Sequence, residues 1–145
     1  MKKDQQLVFI KSEFSQYHFI VQDDDIHKRI SALVFKYISL EAFYKKMLIA
    51  EKEKTGKKLT QKEKNNLRVT TSDVKRVLEY FDIAYDSETI EKLFGSLDNN
   101  YMECSVKKLR DRLVHNANEN VLRVIIERYD ELDEIMNEFI KMLGC

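Results

Sequence analysis

DDDIHKRISALVFKYISLEAFYKKMLIAEKEK, residues 23–54, is where the sequence declares its fold class. Ile26, Ile30, Leu33, Tyr37, Leu40, Tyr44 and Met47 recur every three or four residues, the spacing that places side chains on one face of an α-helix. Val34, Ile38 and Phe43 widen the stripe, and a broad apolar face belongs to a helix packed on more than one neighbour. Asp23, Asp24 and Asp25 stand at its start, where the helix dipole favours negative charge. His27 falls in the first turn and reads as a surface or boundary histidine.

The same period extends outward in both directions. Leu7, Ile10, Phe14, Tyr17 and Val21 outline an earlier helix, with His18 on it as a packed or boundary residue. Ser72 is a candidate N-cap ahead of Val74, Val77, Leu78 and Phe81. Asp86 or Ser87 caps a helix carrying Ile90, Leu93, Phe94 and Leu97, which Gly95 and the DNN run at 98–100 bring to an end. A further helix starts near Ser105. The last, from about Asn120 to Leu143, carries Val121, Ile125, Tyr129, Leu132, Met136 and Phe139 at heptad-like spacing. Between the second and third helices, residues 51–70 are lysine-rich and poor in apolar anchors, so a frayed helix end and a mobile loop are expected there. A basic flap that attracts phosphates is the functional reading of that segment.

Composition agrees with helices. The 145 residues include no proline and three glycines, Gly56, Gly95 and Gly144, whereas an all-β chain needs turn residues in number. The length suits one domain, 1–145, able to bury a core without a metal or disulfide. The expected architecture is an all-α, antiparallel bundle of four to six helices. Lys plus Arg equals Asp plus Glu, which speaks against a generic DNA-coating protein. The helix pair at 72–97 invites a helix-turn-helix comparison, but ETIEKLFGS in its second helix has few side chains that read base edges. Cys104 and Cys145 form no CxxC or Cys/His cluster, so neither a zinc site nor a cofactor is expected. Cys104 precedes a helix but has no adjacent histidine base, which argues against a catalytic thiol. The apolar run Leu7 to Ile10 is too short for a signal peptide or a membrane span, so a reduced, cytoplasmic protein away from membranes is expected.

The chemistry concentrates in KKLRDRLVHNANENV, residues 107–121, with two arginines, one aspartate, one histidine and three asparagines. Residues four apart share a helix face, which sets Asp111 beneath His115 and Arg112 beneath Asn116. Arg110 lies on another azimuth but has the length to reach round. Leu109 and Leu113 anchor the helix. An arginine offers a rigid fork for phosphate oxygens, and an imidazole with an ordinary pKa of roughly 6.5 moves protons near neutrality. Together they suit phosphodiester cleavage by an RNA 2'-hydroxyl. Arg110 would hold the scissile phosphate, His115 would shuttle the proton, Asp111 would orient the imidazole, and Asn116 would hold the helix end or a phosphate oxygen. One histidine serves poorly as both general base and general acid. A symmetric homodimer with two copies facing one cleft supplies both and buries the apolar faces of the last helices.

This stretch resembles the signature of the HEPN superfamily (higher eukaryotes and prokaryotes nucleotide-binding). That signature is an arginine, usually a polar follower, and a histidine four to six residues on; here Arg110, Asp111 and His115, extended by Asn116. A late helix bearing the motif, a short break and a long closing amphipathic helix also resemble the family's arrangement, over about residues 102–143. The resemblance implies a dimerising helical bundle. Many members are metal-independent endoribonucleases in toxin–antitoxin, abortive-infection or CRISPR-linked defence, which implies RNA and an antitoxin or defence-system protein as partners. Other members are inactive scaffolds or nucleotide binders. Where one toxin branch carries a modifiable tyrosine two residues after the histidine, this chain has Ala117. The alternative reading from the residues themselves is a non-catalytic dimerisation or interaction module, with the junction residues acting as helix caps.

Overall fold

The computed structural model describes residues 2–22, 24–96 and 100–144, without the side chains of 13, 14 and 16–22. Eight helices lie among them and no strand: α1 Lys3–Gln22, α2 Asp24–Lys52, α3 Gln61–Asn65, α4 Thr71–Tyr80, α5 Ser87–Phe94, α6 Val106–His115, α7 Glu119–Glu127 and α8 Tyr129–Met142. The all-α class stands. The count of four to six does not, for two local reasons given below. Asp23, Leu97, Asp98, Asn99 and Cys145, and the side chains of Phe14, Tyr17, His18 and Val21, fall outside the described set, so the expectations placed on them do too.

The central element is α2, which packs against α4, α6, α7 and α8. Ile30, Leu33, Tyr37, Leu40, Tyr44 and Leu48 are buried along it at the spacing read from the sequence. The face is narrower than expected, because Ile38 and Phe43 are 47% and 46% exposed and Phe35 is 69% exposed. Across from α2, α5 inserts Phe94 between helices. Its ring centroid lies 6.3 Å from that of Tyr37, 5.8 Å from Tyr44 and 5.3 Å from Phe139 of α8, the last edge-on. Such tilted and edge-to-face pairs add about 0.5–1.5 kcal/mol each beyond area burial.

The expected single closing helix is broken at Arg128. This residue has φ −92° and ψ 11°, ends α7 and precedes α8. Its side chain is buried, and Nη1 donates to the carbonyls of Tyr101 (2.8 Å) and Cys104 (2.9 Å) while Nε and Nη2 meet Glu131. The guanidinium thereby ties two carbonyls of the α5–α6 connection to the junction of α7 and α8. The sequence hid the break because the apolar spacing continues through it.

The second extra helix is α3, inside the lysine-rich segment. Thr60 Oγ1 accepts from the Glu63 N–H (3.1 Å) and the Glu63 carboxylate accepts from the Thr60 N–H (3.4 Å), a reciprocal capping box. Glu53 accepts from the Leu59 N–H (2.7 Å) and Val69 is buried, so the segment has anchors that composition alone concealed. At α4 the N-cap is Thr70, which accepts from the Asp73 N–H (3.2 Å), and not Ser72. Asp86 caps α5, and its carboxylate also accepts from the Thr89 hydroxyl (3.0 Å).

Ser105 sets the start of α6. Its hydroxyl donates to the Gly95 carbonyl (2.7 Å) and accepts from the Lys108 N–H (3.2 Å), so the end of α5 and the first turn of α6 share one buried group. Gly95 is required here by close approach, not by an unusual dihedral angle: a Cβ would sit 2.3 Å from the Glu91 carbonyl oxygen. Gly95→Ala therefore forces backbone apart and should lower stability by about 1–3 kcal/mol in urea denaturation.

Buried Glu51 gives a second check. It meets Arg76 through both oxygens (3.0 and 3.3 Å) and Lys54 (3.3 Å). Burial pushes its pKa up, but the hydrogen bonds from Arg76 and Lys54 outweigh that and hold it below the ordinary carboxylate range. The unfolded chain thus binds this proton more readily than the folded one. The contribution is complete above the usual carboxylate pKa of about 4.3 and fades as pH falls below it. Urea midpoints of the wild type should drop between pH 5 and pH 3 by more than those of Glu51→Gln, whose weaker fold has no such proton to bind.

Candidate functional site

The motif lies on α6, seated in the core by Val106 and Leu109, which are buried, and by half-buried Leu113. Arg110 projects toward α2. Its Nη2 donates to Glu41 Oε2 (3.0 Å) and lies 3.2 Å from Asp111 Oδ1, and the guanidinium stands 5.1 Å from the centroid of the Tyr37 ring. Arg110 Nε and the Tyr37 hydroxyl are both buried without a hydrogen-bond partner. Both residues border a cavity of about 30 Å³ between α2 and α6 with Leu33, Val34 and Leu113 on its wall. Burial, then the Glu41 carboxylate, push the Tyr37 phenol far above its ordinary range, so it stays neutral.

The arginine is thus gripped through Nη2 and the ring of Tyr37, while its side chain stays 26% exposed.

His115 is the last residue of α6 and is exposed, beside Val114, which is 63% exposed. Asp111, one turn below, pairs with Arg110 and makes no hydrogen bond to His115 among the described residues. Within a single chain the carboxylate therefore does not orient the imidazole as the helical spacing suggested. Arg110 and His115 share a helix but not a contact. Five residues advance the azimuth by about 140°, which turns one toward α2 and leaves the other at the helix tip. Arg112 stacks over Tyr101, 5.6 Å from the ring centroid.

The asparagines have plain structural tasks. Asn116 is the C-cap of α6, with its N–H on the Arg112 carbonyl (2.8 Å). Asn118 is the N-cap of α7, accepting from the Val121 N–H (3.0 Å). Much of the polar density of the junction is thus the closing of one helix and the opening of the next. Arg110 and His115 are not consumed in that way.

Glu41 and Tyr37 are the residues that sequence reasoning missed. Tyr37 reads as core, and Glu41 reads as a solvated residue beside the apolar stripe of α2. The available signal was the spacing: Glu41 is one turn beyond Tyr37, on the edge of a face that had to meet another helix.

Cys104 is buried, with its thiol 3.5 Å from the Tyr101 carbonyl. No group of three or more metal-ligating side chains, and no helix long and apolar enough to cross a membrane, occurs among the described residues. No family model, curated protein or solved structure matches the chain.

The Arg110–Glu41 contact is partly shielded, with side-chain exposures of 26% and 17%, whereas Asp111 is 34% exposed. Glu41→Gln should cost about 1 kcal/mol by urea denaturation, and Asp111→Asn less. An equal or larger loss for Asp111→Asn would assign the hold on Arg110 to the wrong carboxylate.

Proposed function

We propose that this chain is a HEPN-type, metal-independent endoribonuclease that works as a cytoplasmic homodimer in a defence or toxin–antitoxin setting, with an antitoxin or defence-system protein as its partner. The observation that carries the reading is the state of Arg110: a cation held on α6 by Glu41, Asp111 and the Tyr37 ring, with its side chain still 26% exposed. A guanidinium held in this way is preorganised to meet charge that develops on a phosphorane, with little reorientation at the moment of reaction.

In the proposed reaction His115 takes the proton of the RNA 2'-hydroxyl, and the 2'-oxygen attacks the adjacent phosphorus. The phosphorus–5'-oxygen bond breaks, and the partner subunit's copy of the histidine gives a proton to that leaving oxygen. The products are a 2',3'-cyclic phosphate end and a 5'-hydroxyl end. Exposed Val114, beside His115, and exposed Phe35 and Ile38 on α2 supply apolar surface for a second copy. Asn116, at the end of the same helix, would hold that end or a phosphate oxygen.

A second reading, a non-catalytic dimerisation module or nucleotide-binding scaffold, is favoured by the two carboxylates on Arg110, which offset its charge. The readings separate in one experiment. Purified protein in EDTA should cleave single-stranded RNA to cyclic-phosphate ends. His115→Ala should slow cleavage by at least about a hundredfold. Because His115 is exposed, its urea midpoint should barely move. Absence of cleavage refutes the nuclease reading; cleavage that survives His115→Ala unchanged refutes the catalytic assignment, and a strictly monomeric mass for the cleaving species refutes the two-histidine mechanism.

A further inference from the structure

The chain is neutral as a whole, but its charge is unevenly spread. Residues 52–68 hold seven Lys and Arg against two acids, Glu53 and Glu63. Both acids are engaged by backbone: Glu53 accepts from the Leu59 N–H, and Glu63 accepts from the Thr60 N–H and hydroxyl. Nearby Glu51 is buried and taken by Arg76 and Lys54. Several lysines elsewhere pair with acids, as in Lys36–Asp133, Lys75–Glu91 and Lys92–Glu88. Lys57, Lys58, Lys62, Lys64 and Arg68 have no ion pair among the described residues, and all but Lys64, which is half-buried, are exposed.

These cations also sit on a defined scaffold. The capping box of α3 and the Glu53–Leu59 clamp shape the backbone, and Leu59 and Leu67 turn partly inward. The far end is tied to the helix that bears the motif: Lys107 Nζ donates to the carbonyl of buried Val69 (2.6 Å), one turn before Arg110.

We propose that the segment 57–68, between α2 and α4, is a binding surface for the phosphate backbone of single-stranded RNA, leading toward α6. The uncompensated lysines supply backbone contacts that do not depend on base sequence. The interleaved Thr60, Gln61, Asn65 and Asn66 supply neutral hydrogen-bonding groups. No exposed large apolar side chain occurs between 57 and 68 to insert into a bilayer or seat a protein partner. The proposal deepens the nuclease reading by naming how its substrate is held, but it is measured as binding, not as cleavage.

The test uses the full chain and a labelled 2'-O-methyl oligonucleotide, which has no free 2'-hydroxyl nucleophile. Anisotropy is read from 50 to 200 mM salt. Wild type should bind with an affinity that falls steeply as salt rises. The combined variant Lys57→Gln, Lys58→Gln, Lys62→Gln, Lys64→Gln should bind at least about tenfold more weakly at 50 mM salt. Its log–log salt slope should be smaller by about 2–3, from roughly 0.7 per lost phosphate contact. These side chains make no ion pairs, so the variant should keep its urea midpoint. A quadruple variant that binds like wild type, a wild type that does not bind, or tighter binding to phosphatidylserine vesicles than to the oligonucleotide overturns the proposal. Binding as described with no cleavage of ordinary RNA overturns the nuclease reading alone.

Discussion

One aromatic ring coordinates this fold. Phe94 lies against Tyr37, Tyr44 and Phe139, so a single side chain of the short helix α5 joins the central helix α2 to the closing helix α8. Tyr37 also stands under the Arg110 guanidinium. The packing that holds the bundle together is therefore continuous with the surface that holds the candidate site. The position of Arg110 follows from how α2, α5 and α8 settle around one ring.

The ion pairs are secondary to this packing but give it direction. Glu41 and Asp111 select the way the Arg110 side chain turns, and Arg128 ties the loop before α6 to the junction of the last two helices. Each works because a cation or a carbonyl would otherwise be left poorly solvated. Removing one partner of such a set exposes a cost larger than the net worth of the contact, which is why the same few residues organise both the fold and the site.

Much of this was legible in the sequence. The period of α2, a cap at Asp86 or Ser87, the start of α6 near Ser105 and its end near Asn116 all follow from local chemistry that residue order displays. What escaped notice was tertiary. At the break, Arg128 bonds the carbonyls of Tyr101 and Cys104 from another part of the chain, and nothing in the surrounding apolar period announces that contact. The anchoring of the lysine-rich segment rests on a capping box and one glutamate-to-backbone bond, which composition cannot reveal. Within the site, the positions of Arg110 and His115 on α6 were evident, but Asp111 was assigned to the imidazole by helix spacing alone. The arginine beside it is the nearer and stronger claimant. Glu41 lies 69 residues away in sequence, and only folding brings it to the motif.

The double use of the Ser105 hydroxyl has a mechanical consequence. Its proton is committed to Gly95 and a lone pair to Lys108, inside the core, while Val114 to Ala117 at the opposite end stand in solvent. Such a helix resembles a cantilever, clamped at its root and solvated at its tip. Root amides should then exchange with solvent only when the whole bundle opens, and tip amides far sooner.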